Sequence, residues 1–137
     1  MRRGYTLIDI EVIGVENQPL PDSDILTAAE FALRELMPRK KRIDITIEVC
    51  HTGDSCSGFH WMEDKYVHMI ELDFKQTTED FLTCLFHEMV HVRQAERGID
   101  DDESLPYYER PNEIEAYQLQ EELLEKWKSY SRSSLVE

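Results

Sequence analysis

Five consecutive residues carry the clearest chemistry in this chain: His87-Glu88-Met89-Val90-His91. On an α-helix, residues i and i+4 lie one above the other, so the two imidazoles reach a common point and can share one metal ion. Glu88 follows His87 by about 100° around the axis, where its carboxylate can address a water on that ion as a general base. Helical phase gives independent information. With Phe81 at zero and about 100° per residue, Phe81, Leu82, Leu85, Phe86, Met89, Val90 and Val92 fill one apolar half of the helix. His87 and His91 fall outside that stripe, beside Asp80 and Cys84. The competing reading is two solvated histidines on an ordinary amphipathic helix. The His-Glu-x-x-His order on a capped helix favours the metal.

A catalytic zinc takes three protein ligands and keeps a fourth position for water. The other histidines, His51, His60 and His68, all precede the motif, so a carboxylate from the final helix is the natural third ligand. Glu113 and Glu115 compete for that role. With Glu113 at zero, Ala116, Tyr117, Leu119, Leu123, Leu124, Trp127 and Tyr130 form an apolar stripe that includes its direction. Glu115 instead falls among Glu122, Glu125 and Lys126 on the polar face. A carboxylate facing a packed interface is costly unless a cation pairs with it, and zinc would be such a cation. The bland alternative is a Glu113 at a frayed first turn, favoured by the helix dipole. Phase selects Glu113.

These residues need elements to hold them. Alternation of β-branched residues predicts strands over 6–14 and 42–50, with a third extended stretch over 65–74. The segment between the last two, with Gly53 and Gly58, reads as a loop. Asp22 or Ser23 can cap a helix over 24–37, stopped by Pro38. Thr77 with Asp80 three residues on starts the motif helix, and Gly98 ends it. The last helix begins near Pro111 or Asn112 and runs to about Tyr130. This order predicts one α+β domain over 1–137, with a small mixed sheet of about three strands.

Composition bounds the partners. At 137 residues the chain is sized for one domain with a modest core. Its 29 acidic residues outnumber 15 basic ones for a net charge of −14, which repels phosphate backbones, so no nucleic-acid partner is expected. The basic run 39–42 reads as a complement to a helix C-terminus. No apolar run approaches the roughly 18 residues of a membrane span, and the charged start runs into Asp9 and Glu11 rather than an apolar signal core. A cytoplasmic protein without a membrane partner is expected. Three cysteines make no disulfide framework. Cys50, His51, Cys56 and His60 offer a second zinc site only at a spacing that matches no closed pair, so a reduced polar loop is the default. The acidic run 100–103 reads as a solvated loop, with the further reading that it makes a cleft entrance negative and favours basic substrates.

His87-Glu88-Met89-Val90-His91 followed by Arg110-Pro111-Asn112-Glu113-Ile114-Glu115-Ala116 resembles the gluzincin metallopeptidases, which pair a His-Glu-x-x-His helix with a glutamate helix. The short spacing also looks like small bacterial and phage metallopeptidases. Metzincins carry a glycine and a third histidine where Gln94 and Arg97 stand here, so the chain does not resemble them. The gluzincin resemblance implies a zincin-like domain with an active-site helix and a C-terminal glutamate helix. It implies Zn2+ held by His87, His91 and Glu113, with Glu88 as general base. Many relatives place an acidic residue where Tyr117 stands, and a phenol can supply a similar hydrogen bond to a zinc histidine.

The implied activity is hydrolysis of a peptide bond in a protein or peptide substrate. Zinc acidifies a water, and Glu88 takes its proton and passes it to the leaving amine. Tyr107, Tyr108 and Tyr117 are the candidates for an oxyanion donor, and the sequence does not choose between them. Zincins bind extended substrate on an edge strand, for which residues 66–73 are best placed, with His68 read as a surface histidine. Two other readings stand beside this one: a metal-binding regulatory or interaction protein without turnover, and a zinc hydrolase of a non-peptide amide.

Overall fold

The computed structural model describes residues 7–53 and 57–136, with side chains through 132. Strands β1 (Leu7–Ile13), β2 (Arg42–Cys50), β3 (Gly58–Asp64) and β4 (Val67–Asp73) form one sheet in the order β1-β2-β4-β3. The first three in that order run parallel, and β3 returns antiparallel along β4. Alternation puts Ile43, Ile45, Ile47 and Val49 of β2 on the same buried face as His68, Ile70 and Leu72 of β4. The other face of β2 carries Asp44, Thr46 and Glu48. A sheet covered on one face needs helices against it; the first two helices pack on the sheet, and the third packs on those two.

Helix α1 (Asp22–Leu36) packs Ile25, Ala28, Ala29 and Ala32 into the core. Its first turn is not capped by a side chain: the Pro21 carbonyl accepts from the amides of Asp24 and Ile25. Helix α2 (Thr78–Glu96) begins as expected, with the Thr77 hydroxyl accepting from the Asp80 amide at 3.1 Å. Helix α3 (Pro111–Val136) extends beyond the anticipated end. Phe31 of α1 ties the layer together, its ring 5.4 Å from Trp127, 5.3 Å from Tyr130 and 6.3 Å from Phe86. No helix among the described residues is long and apolar enough to cross a membrane.

The expectation of about three strands is corrected to four. Strand β3 escapes a periodicity reading because neither face alternates cleanly: its residues are partly or fully exposed, as suits an edge. Its presence moves the sheet edge. Strand β4 lies between β2 and β3, so residues 66–73 are internal and the edge on that side is β3. His68 is accordingly wholly buried rather than on the surface.

Candidate metal centre

Two packed helices build the site. Ala116, fully buried, keeps the side-chain bulk low where α3 packs on α2. Pro111 starts α3 at a position where its missing N–H is no loss. Asp101 Oδ1 accepts from the Asn112 amide at 3.1 Å, and Asn112 Nδ2 donates to the Ile99 carbonyl at 3.1 Å. The connection thereby fixes the first turn of α3 and the residue that follows, Glu113.

His87, His91 and Glu113 converge, with one ligand atom from each inside a 4.8 Å group. Glu113 Oε1 is 3.0 Å from His87 Nε2, and its Oε2 is 3.2 Å from His91 Nε2. The two Nε2 atoms are 3.2 Å apart. His87 and Glu113 are each 7% exposed. Glu115 is outside the group: it accepts from Gln94 Nε2 at 2.8 Å and pairs with Arg93 at 3.3 Å. The structure therefore brings Glu113, and not Glu115, to the two histidines, on the side that helical phase gave it.

The remaining nitrogens are held from behind. Gln120 Oε1 lies 2.8 Å from His87 Nδ1, and Gln94 Oε1 lies 2.7 Å from His91 Nδ1. Both amides are oriented by their other ends. Gln94 Nε2 donates to the Asn112 carbonyl at 3.0 Å as well as to Glu115, and Gln120 Nε2 donates to Glu121 Oε2 at 3.1 Å. Each Nδ1 is therefore the donor, and each Nε2 turns a lone pair toward Glu113. Three acceptors at mutual contact repel unless a cation or a shared proton lies between them. This donor set fits a metal ion, and the group is able to hold one.

Charge balance shows the same tension. Burial would lower His91, but its hydrogen bond to Glu113 and the nearby carboxylates lift it to about 9. Burial would raise Glu113, yet His87 and His91 hold it well below the usual carboxylate range. Glu88, 7% exposed, is pushed up to about 6 by burial, with the two histidines partly opposing the rise. Gly58 of β3 passes close to it: a methyl group there would stand 3.3 Å from Glu88 Oε2 and 3.1 Å from Leu72 Cδ2.

A cleft runs along both sides of Glu88. One arm, of about 530 Å³, is lined by Thr83, Cys84, His87, Tyr107, Tyr108 and Tyr117. The other, of about 500 Å³, is lined by His60, His91, Asp100, Asp101, Arg110 and Glu113. Glu88, Gly58 and Tyr107 border both. Among the three tyrosines, Tyr107 borders both arms, and burial, with Tyr117 and the Glu113 carboxylate nearby, raises its phenol well above the ordinary value. Tyr117 lies edge-on to His87 at 4.6 Å between ring centroids, while Gln120 takes the Nδ1 bond. Tyr108 is 73% exposed at the rim.

Four further residues belong to the neighbourhood and were not anticipated in these roles. Gln94 follows His91 by three residues and Gln120 follows Glu113 by seven, so helical phase puts each on the face of its ligand. That signal was available. His60 and His68 pair across β3 and β4, which only the unrecognised strand could have revealed. Of the loop weighed as a second zinc site and read by default as reduced and polar, Cys56 lies outside the described residues. His60 turns to His68, and His51 lies 3.7 Å from Asp73. Among the described residues, His87, His91 and Glu113 are the one group of three or more such side chains with ligand atoms this close. Comparison of the chain with known protein families, with curated proteins and with solved structures finds no match.

Proposed function

We propose that this protein is a zinc-dependent metallopeptidase of gluzincin type. The observation that carries the reading is the convergence of His87, His91 and Glu113, with both imidazoles held through Nδ1 and Glu88 buried beside them in a through-running cleft. Two histidines and one carboxylate are a donor set suited to catalytic zinc. Zinc, when bound, supplies Lewis-acid polarisation of a carbonyl and acidifies a water.

The chain's own residues do the rest. Gln94 and Gln120 keep each imidazole in the tautomer that leaves Nε2 free. Glu88, with a carboxyl near 6, accepts a proton from the attacking water at neutral pH and returns it to the departing amine nitrogen. Burial of that carboxylate shortens the difference in proton affinity it has to bridge. Tyr107, which borders both arms, is the tyrosine best placed to donate to an oxyanion. The edge strand β3, bonded only to β4 within the sheet, offers backbone for an extended peptide along the cleft.

Glu88→Gln tests the reading. It keeps the volume and the metal ligands but removes the base, so the variant should retain zinc and lose cleavage of a peptide library. Cleavage that survived the substitution would assign the base elsewhere. A wild-type protein that binds zinc but cleaves neither peptides nor simple amides would leave a metal-binding interaction protein.

A further inference from the structure

A chain of polar side chains, wholly buried at His68 and part-buried elsewhere, leads to the cleft, and the mechanism above makes no use of it. Lys40 pairs with Glu96 Oε1. Glu96 Oε2 is 2.6 Å from His68 Nε2, and His68 Nδ1 is 3.0 Å from His60 Nε2. His68 shares the inward face of β4 with Ile70 and Leu72 and is wholly buried. An apolar residue there would avoid the cost of desolvating ring nitrogens and a carboxylate, so core packing alone does not call for a histidine.

The chain has a direction. An ionised carboxylate paired with a lysine only accepts, so His68 Nε2 donates, His68 Nδ1 accepts and His60 Nε2 donates. His60 Nδ1 is then left with a lone pair. The His60 ring lies nearly parallel to that of His91, at 20° and 6.5 Å between centroids, and lines the same arm of the cleft as Asp100.

The two arms differ in chemistry. Beyond the metal group and Glu88, the described lining residues of the tyrosine arm are phenols, Ser57, Gly58, Thr83, Cys84 and Gln120, none of them charged. The His60 arm presents acceptors in His60, Asp100 and Asp101, whose Oδ1 also takes the Asn112 amide, beside the apolar Phe59 and Ile99. Its cation among the described lining residues, Arg110, donates Nε to the Leu105 carbonyl at 3.1 Å.

We propose that His60 is a specificity-determining residue, oriented as a hydrogen-bond acceptor by the Lys40–Glu96–His68 chain, and that the arm it shares with Asp100 takes a lysine or arginine side chain of a peptide. The inference deepens the peptidase reading and rests on it for the peptide, yet binding requires no turnover. The test is therefore equilibrium binding to the Glu88→Gln protein, with and without zinc. The probes are fluorescein-labelled polyalanine octapeptides carrying one Lys, Arg, Glu or norleucine at each position in turn, read by anisotropy.

At one position Lys or Arg should bind about tenfold more tightly than norleucine, with Glu weakest. Asp100→Asn and His60→Phe should each cut that preference to about threefold or less. His60→Gln provides a second variant that keeps a donor toward His68. His68→Leu, which leaves His60 in place but unheld, should lower the preference as well. Asp9→Asn, on the opposite sheet edge, should leave it unchanged and so separate the arm from the overall charge of −14. Equal binding of norleucine, tighter binding of Glu, or a preference that survives both His60 variants would overturn the assignment. Lysine preference in a wild-type protein that cleaves nothing would count against the peptidase reading alone.

Discussion

Gln120 makes a sharp test of how the metal group is held. Its Oε1 accepts from His87 Nδ1 at 2.8 Å, and its own Nε2 is occupied by Glu121 at 3.1 Å, so the side chain is set to accept rather than donate. Gln120→Leu keeps the approximate size and the helix but removes the acceptor. His87 then loses both its orientation and its preferred tautomer, while every ligand atom remains. Loss of such a supporting bond weakens metal binding by about 10- to 100-fold, or about 1.4–2.8 kcal/mol. Gln120→Glu should act in the opposite sense, because a carboxylate acceptor raises imidazole basicity and brings a negative charge near the cation. The assay is competition for zinc against a chromophoric chelator at fixed pH and salt, with the folded fraction checked by circular dichroism. An unchanged affinity in Gln120→Leu would refute the claim that this bond fixes His87. A fall beyond a thousandfold in a folded protein would show Gln120 to be a ligand itself.

Gly58→Ala would bring a methyl group to 3.3 Å from Glu88 Oε2 and 3.1 Å from Leu72 Cδ2, so turnover should fall several-fold with zinc content unchanged; loss of zinc instead would place the disturbance at the ligands. Phe31→Ala empties the aromatic junction of α1, α2 and α3 and should cost about 3–5 kcal/mol in urea unfolding; a cost under about 1 kcal/mol would show that the junction contributes little. Although burial opposes it, Lys40 and His68 hold Glu96 below its ordinary value of 4.5. The unfolded chain therefore takes up this proton first as pH falls, and stability present above 4.5 is lost on descent through the lower folded value. Glu96→Gln should flatten that acid limb in a plot of melting temperature against pH, and an unaltered limb would assign the acid sensitivity elsewhere.

How far the sequence reached depended on whether an element had one buried face. Helix α2 was legible because its apolar half and its Thr77 cap are both local, and phase then put His87 and His91 on the remaining side. Glu113 was separable from Glu115 for the same reason: on a helix, two positions differ by most of a half turn. Strand β2 showed its alternation because one face is wholly covered. Strand β3 did not, since an edge strand with exposure on both faces has no periodic pattern to find. That omission hid the true sheet edge, the approach of Gly58 to Glu88, and the His60–His68 pair. The three tyrosines singled out as candidates line one arm of the cleft together. What sets Tyr107 apart, its place on both arms of the cleft, depended on a connection whose path is not periodic.

The central claim is that one metal ion is held by His87, His91 and Glu113 while Glu88 stays free as a base. Anomalous scattering at the zinc edge from crystals of the zinc-loaded protein tests it most directly. The account predicts one strong peak per chain, bonded to Nε2 of both histidines and to a Glu113 oxygen, present in Glu88→Gln and lost or greatly reduced in Glu113→Ala. A peak on Glu88 or Glu115, or a zinc that keeps its place without Glu113, would contradict it.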